Sequence, residues 1–162
     1  NLKLLIIGAG SVGVETLEAV LNKSPAETIR IVGLIVHPSF PDLVIKYSKV
    51  TLHQKAYSKE DIQDADLVIA AVNSVHLSAQ IREHVHEKGK LINVADKPEL
   101  CDFYLSSVVK KGNLKIAIST NGKSPTIAKR LKEVINNMIP DEIDEVLENM
   151  QLIRIGIKGD FQ

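Results

Sequence analysis

Two stretches of the chain carry residue types that folding alone does not demand. Near the start, "KLLIIGAGSVGVETLEAVL" sets Gly8, Gly10 and Gly13 as a G-x-G-x-x-G between an apolar run and a segment of helical spacing. In that setting each glycine has a task. Gly8 allows a tight turn, Gly10 lets the backbone approach a pyrophosphate, and Gly13 lets helix and strand pack closely. With Ser11 and Val12, the helix start offers free amides and a positive dipole end to phosphates. The pattern points to a bound dinucleotide.

The second stretch is "LINVADKPELCDFYLSSVVKKGNLKIAISTNGKSPTIAKRL". Asp96 ends its apolar run, and a Ser-Thr-Asn-Gly turn opens a lysine-rich helix. A carboxylate at the carboxyl end of a parallel strand stands on the edge where ligands and catalytic groups gather. It could serve as a proton acceptor there. From position alone, a plain loop aspartate before Lys97-Pro98 is an equal reading. Lys97, Lys110, Lys111, Lys115, Lys123, Lys129, Arg130 and Lys132 face only Glu99, Asp102 and Glu133, eight positive against three negative. Such charge is usually a solvated face; otherwise it is the footprint of a polyanionic ligand.

Other residues suggest less. Dinucleotide folds commonly carry an acid near the end of the second strand to hold the ribose; here "VHPS", Val36 to Ser39, takes that place. His37 or the local backbone is the expected ribose contact, and Asp42 reads as an exposed loop residue. The choice between NAD and NADP is left open, since no arginine lies nearby. His84 and His86, two apart on a helix, point to different faces, and His37, His53 and His76 are isolated, so no metal site is expected. Cys101 reads as a packing residue.

These residues need elements to hold them. Leu4 to Ile7, Ile29 to Val36, Asp66 to Val72 and "KLINVA" read as buried strands, and "HLSAQIREHVHEKG" as a helix stopped by Gly89. Alternation of strands and helices over this half implies a doubly wound parallel sheet. The pattern then changes. "DFYLSSVVKKGNLKIAIS" reads as two strands about a Lys-Gly-Asn turn. Ser124 and Pro125 start a helix with Ile127, Leu131, Val134, Ile135 and Met138 on one face. After Pro140 a further helix presents Ile143, Val146, Leu147, Met150 and Ile153. The expected class is α/β: a Rossmann-type doubly wound parallel sheet, then a small α+β region and C-terminal helices.

Composition sets the bounds. The chain has 162 residues, 44% of them hydrophobic and 25% charged, which is globular, and twenty basic residues balance twenty acidic ones. That balance argues against a nucleic-acid partner. No apolar run approaches the roughly 18 residues of a membrane span. One cysteine excludes an internal disulfide and suits a reducing, cytoplasmic setting. Because the sequence opens at Asn1 inside a strand, an N-terminal segment is expected to be missing.

"NVADKPELCDFYLSSVVKKGNLKIAISTNGKSPTIAKRLKEVI" resembles the signature region of the siroheme synthase N-terminal family. The glycine-rich strand, "ADLVIAAVN", "NVAD", "CDF" and "AIST-NGKSP-IAKRL" follow the family's order and spacing. Departures are Ala9 for a third glycine, Gly13 for a small residue such as Ala, and "VHPS" for Ala-Pro-Glu. The resemblance implies an NAD-dependent precorrin-2 dehydrogenase that makes sirohydrochlorin, often doubling as a ferrochelatase with Fe²⁺ as substrate. Precorrin-2 bears eight carboxylates, which would suit the basic surface. Asp96 would be the general base, and cofactor contacts would come from Gly8, Gly10, Ser11, Val12, Gly13, His37, Pro38, Ala71, Val72, Asn73 and Asn93. Ser119, Asn121, Lys123 and Lys129 would face the tetrapyrrole, with Ser124 mainly a helix cap. The implied layout is residues 1–97 for NAD, 98–138 for dimerisation and substrate, and 139–162 as the start of a helical region. A homodimer is expected. An NAD-binding regulatory module and a dehydrogenase without chelatase activity stay open as alternatives.

Overall fold

Strands form where apolar runs can be buried on both faces. In the computed structural model, which describes residues 2–23 and 26–159, these are β1 (Lys3–Ile7), β2 (Thr28–Val32), β3 (Val50–His53), β4 (Leu67–Ala70) and β5 (Leu91–Val94). They pair in parallel in the order β3-β2-β1-β4-β5. One face is covered by α1 (Ser11–Lys23) and α2 (Phe40–Lys46), through Leu17, Val20 and Phe40. The other is covered by α3 (Val75–Glu87) and a 3₁₀ turn (Lys59–Ile62), through Ile62, Ile81 and Val85. Full burial of each such side chain contributes roughly 1.5–3 kcal/mol. The sheet is a Rossmann-type fold whose strand order reverses between β1 and β4, the place where such sheets bind ligands.

Three local expectations are corrected. β2 stops at Val32 instead of running to Val36. Gly33 donates the last ladder bond to the His53 carbonyl (3.2 Å), and its Cα packs so close that an added Cβ would lie 2.5 Å from the Ala9 Cβ. Leu34 and Ile35 then leave the sheet with 66% and 81% exposure. Asp42 is exposed as expected, but it sits in the first turn of α2 and not in a loop. A fifth strand, β3, was not anticipated and forms the sheet edge beside β2.

The chain divides into two compact units, Asn1–Phe103 and Tyr104–Gln162. The loop after β5 stays with the first unit because Asp102 clasps it. Its backbone N–H donates to the Ile92 carbonyl (2.8 Å), and its carboxylate accepts from the Ile92 N–H (2.9 Å) and meets His86 Nε2 at 2.8 Å. The second unit is a hairpin of β6 (Ser107–Lys111) and β7 (Leu114–Ile118), with α4 (Pro125–Met138) and α5 (Ile143–Gly159). Val109 and Ala128 are its buried apolar residues. Ser124 caps α4, its hydroxyl accepting from Ile127 N–H (3.3 Å), with Pro125 following. At the hairpin tip Asn113 donates from backbone and side chain to the Asp144 carboxylate of α5 (2.7 and 3.0 Å). Among the described residues no helix is long and apolar enough to cross a membrane.

Candidate functional site

The carboxyl ends of β1, β2 and β4 open into one cleft of about 480 Å³. Its floor is the glycine turn, which three backbone bonds hold. Gly8 N–H donates to the Val32 carbonyl (2.8 Å), Ala71 N–H to Ile7 (2.7 Å) and His37 N–H to Ala9 (2.7 Å). The glycines divide by task. Gly8 has φ +114°, and a Cβ there would lie 2.1 Å from the Ala71 carbonyl oxygen. At Gly13 a Cβ would lie 2.2 Å from the Gly8 carbonyl oxygen. Both are therefore glycine for the fold's sake. A Cβ on Gly10 meets nothing within 4 Å. The protein leaves open space there, beside a helix start.

The first bond of α1 runs from Val14 N–H to the Gly10 carbonyl (3.1 Å). The amides of Ser11, Val12 and Gly13 precede it, so the helix leaves them unpaired, facing where phosphates would lie. These features fit a dinucleotide's pyrophosphate.

Gly8, Gly10, Ser11, Val12, Ala71, Val72 and Asn73 all line the cleft; Gly13 lies buried beneath it. His37 and Pro38 do not line it. The His37 amide braces Ala9, and its Nδ1 accepts from Ser39 N–H (3.3 Å). Asn93 is buried in β5, and its amide donates to the Phe103 carbonyl (2.8 Å). Lining residues that sequence reasoning did not single out are Gly33, Leu34, Ile35, Ala56, Tyr57 and Leu77. The glycine inside the presumed second strand was the available signal, since it marks a close backbone approach.

Asp96 stands on the same sheet edge, past the end of β5, and is exposed. Its neighbour Ala95 still donates to the Ala70 carbonyl of β4 (2.9 Å). The turn closes from Lys97 N–H to Val94 (3.3 Å), with Asp96 at φ 59°. This is the third position of a tight turn, which a left-handed residue such as Gly or Asn fills with least strain. Lys97 Nζ reaches the Val72 carbonyl in the cleft wall (3.4 Å). Cys101 Sγ fastens the loop from behind, within 3.2 Å of Val94 O and 3.3 Å of Lys97 O. Burial pushes the Cys101 thiol above its ordinary range, so it packs and hydrogen-bonds without ionising.

In the second unit, Asn121 and Gly122 both have positive φ (50° and 76°), and Lys123 N–H closes their turn onto the Thr120 carbonyl (3.0 Å). Ser119 Oγ accepts from Asn121 N–H (3.2 Å). Lys111 pairs with Asp141 and Arg130 with Glu133. Lys110, Lys115, Lys123, Lys129 and Lys132 have no ion-pair partner among the described residues. No group of three or more metal-ligating side chains occurs among the described residues.

Comparison with known proteins agrees with this geometry. Residues 1–107 match a family described as putative NAD(P)-binding, and residues 111–138 match the sirohaem biosynthesis protein central family. A siroheme synthase of Nitrosococcus oceani is 33% identical over 136 residues, covering 84% of this chain and 28% of that protein. The siroheme biosynthesis protein met8 of Schizosaccharomyces pombe is 31% identical over 156 residues, covering 94% of this chain and 58% of that protein. The chain thus spans about a third of the siroheme synthases it matches, 28% and 34% of two of them. The fold resembles that of SirC, a precorrin-2 dehydrogenase, with TM-score 0.75 at 20% identity over 94% of this chain and 74% of that one. An NAD(P)-binding sheet followed by a sirohaem central segment, in that order, makes this chain a member of the siroheme synthase N-terminal family.

Proposed function

We propose that the protein oxidises precorrin-2 to sirohydrochlorin with NAD⁺. The observation that carries this reading is the open space at Gly10 on the same strand edge as the exposed, left-handed Asp96. Bound NAD⁺ would supply the hydride acceptor, held by Gly8, Gly10, Ser11 and Val12. The chain's own part is then positioning and proton removal. Asp96 takes the proton that leaves with the hydride, from a turn tied to the cleft wall through Lys97.

NAD is favoured over NADP by the end of β2. A 2′-phosphate calls for a basic partner, but Leu34 and Ile35 line the cleft there. The nearby Lys55 is engaged by Asp61 at 2.6 Å. The unpaired lysines of the second unit suit a substrate with many carboxylates. Ferrous iron insertion is the proposed second step, with Asp96 taking pyrrole protons and Fe²⁺ as substrate. A single cysteine, with no second to pair with, suits a reducing, cytoplasmic setting. The direct test is conversion of precorrin-2 by purified protein with NAD⁺, with and without Fe²⁺ or Co²⁺. Absence of NAD⁺-dependent sirohydrochlorin overturns the proposal.

Two further outcomes are expected. Replacing Lys123, Lys129 and Lys132 by Ala should chiefly raise KM for precorrin-2. The difference from wild type should shrink as salt rises, because screening removes the attraction that the variants already lack. A salt-independent defect would assign these lysines to packing. The protein should also be a homodimer at micromolar concentration. A two-stranded hairpin is marginal alone, and Ile127, Leu131, Val134 and Met138 of α4, with Val146 and Met150 of α5, are exposed. Such apolar faces mark an interface. Sedimentation of a monomer would refute it.

A further inference from the structure

Beyond the glycine turn the cleft changes character. Its far wall is made by Leu34 and Ile35 after β2, Ala56 and Tyr57 after β3, and Leu77 in the first turn of α3. Tyr57 lies in a loop, yet it is tethered. Its hydroxyl lies 3.0 Å from His84 Nδ1, and the two rings are 6.0 Å apart at 29°. His84 rides on α3, which the fully buried Ile81 and Val85 anchor to the sheet. Burial, with the charges of Asp61 and Glu60 adding to it, pushes the Tyr57 phenol up to about 12. The phenol therefore keeps its proton. It is available to donate to the His84 ring nitrogen, which makes the tether.

We propose that His84 is a positioning residue that fixes Tyr57 as the aromatic wall of an adenosine subsite. This rests on the dinucleotide reading of the cleft. In a sheet of this strand order the pyrophosphate lies over the glycine turn after β1. Asp96, the proposed proton acceptor, follows β5, so the nicotinamide belongs on that side. The adenosine half then extends toward the ends of β2 and β3, where this wall stands. A purine has two apolar faces and needs flat or aliphatic cover. Exposed Leu34 and Ile35, which no core packing explains, supply aliphatic cover. The Tyr57 ring supplies aromatic cover only if its loop is held, because ordering a free tyrosine on binding costs affinity.

The test is titration of the full chain with NAD⁺, ADP-ribose and nicotinamide mononucleotide, for wild type, Tyr57→Phe, His84→Ala and His84→Gln. Tyr57→Phe and His84→Ala should each weaken NAD⁺ and ADP-ribose by roughly 3- to 10-fold, the scale of one net hydrogen bond. Nicotinamide mononucleotide should be unaffected. His84→Gln, which offers an amide oxygen to the phenol, should recover most of the loss. In turnover, KM for NAD⁺ should rise by more than kcat falls. Tyr57→Phe keeps the ring and lacks only the tether, so the result does not hang on His84→Ala folding well. Equal loss for all three ligands would make the pair merely structural and overturn the proposal. No loss for NAD⁺, with Gly10→Val still abolishing binding, would overturn it and leave the cofactor site standing. Failure of wild type to bind NAD⁺ at all would overturn both.

Discussion

Asp96→Asn is expected to slow precorrin-2 oxidation by roughly 10²–10⁴-fold, the usual size of a general-base contribution, with NAD⁺ binding intact. The turn geometry makes this substitution informative. Asn is at least as comfortable as Asp in the left-handed conformation that position 96 adopts. The bond from Lys97 N–H to Val94 and the Cys101 contacts behind the loop do not involve the carboxylate. Fold and turn should therefore survive, and what is lost is the ability to accept a proton at neutral pH. The measurement is single-turnover formation of sirohydrochlorin with saturating NAD⁺, beside a thermal unfolding curve. Wild-type rates in a folded variant would hand proton removal to water or to another group.

The second large effect is expected at Gly10. Gly10→Val should weaken NAD⁺ binding by about 100-fold or more, equivalent to roughly 3 kcal/mol, while the unfolding temperature stays near that of wild type. The argument is spatial. A Cβ at this position touches no protein atom within 4 Å, so the added branch projects only into the space a pyrophosphate would use. Gly8→Ala is the contrasting control. Its Cβ would overlap the Ala71 carbonyl and its φ of +114° is hostile to a side chain, so stability should fall along with binding. Calorimetric titration separates the two. Unchanged affinity in folded Gly10→Val would remove the cofactor from this turn.

Much of the fold was readable because burial on both faces leaves a plain mark. β4 and residues 4–7 of β1 are continuous apolar runs, β5 is one but for Asn93, and Ser124-Pro125 announced α4 through capping chemistry. β3 was not readable. It is a four-residue edge strand, VTLH, in which Val50 alone is buried, so it lacks that mark. α2 was hidden because Phe40-Pro41-Asp42 reads as a break, although proline is at home in a first helical turn.

The most instructive miss concerns Leu34 and Ile35. Apolar residues one glycine past a strand look like more strand, yet here they turn outward to line a cleft. Pattern reading sees that a residue avoids water, but it cannot tell whether core or ligand will cover it. His37, which with the local backbone reads as a ribose contact, uses its amide to brace the glycine turn. Asp96 could be placed on the ligand-bearing edge from strand order alone. Its left-handed turn could not, since it depends on how Lys97 and Cys101 close the loop.

The uneven duties of the three glycines have a consequence for descent. Position 8 is frozen by the protein's own atoms and its positive φ, whatever the cofactor does. Position 10, on the proposed reading, is kept empty for a guest. In a lineage that abandoned the nucleotide but kept the fold, drift should fill position 10 first and leave 8 as it is. The turn would then be a fossil with a single altered letter, and that letter would date the loss of the chemistry better than any change in the core.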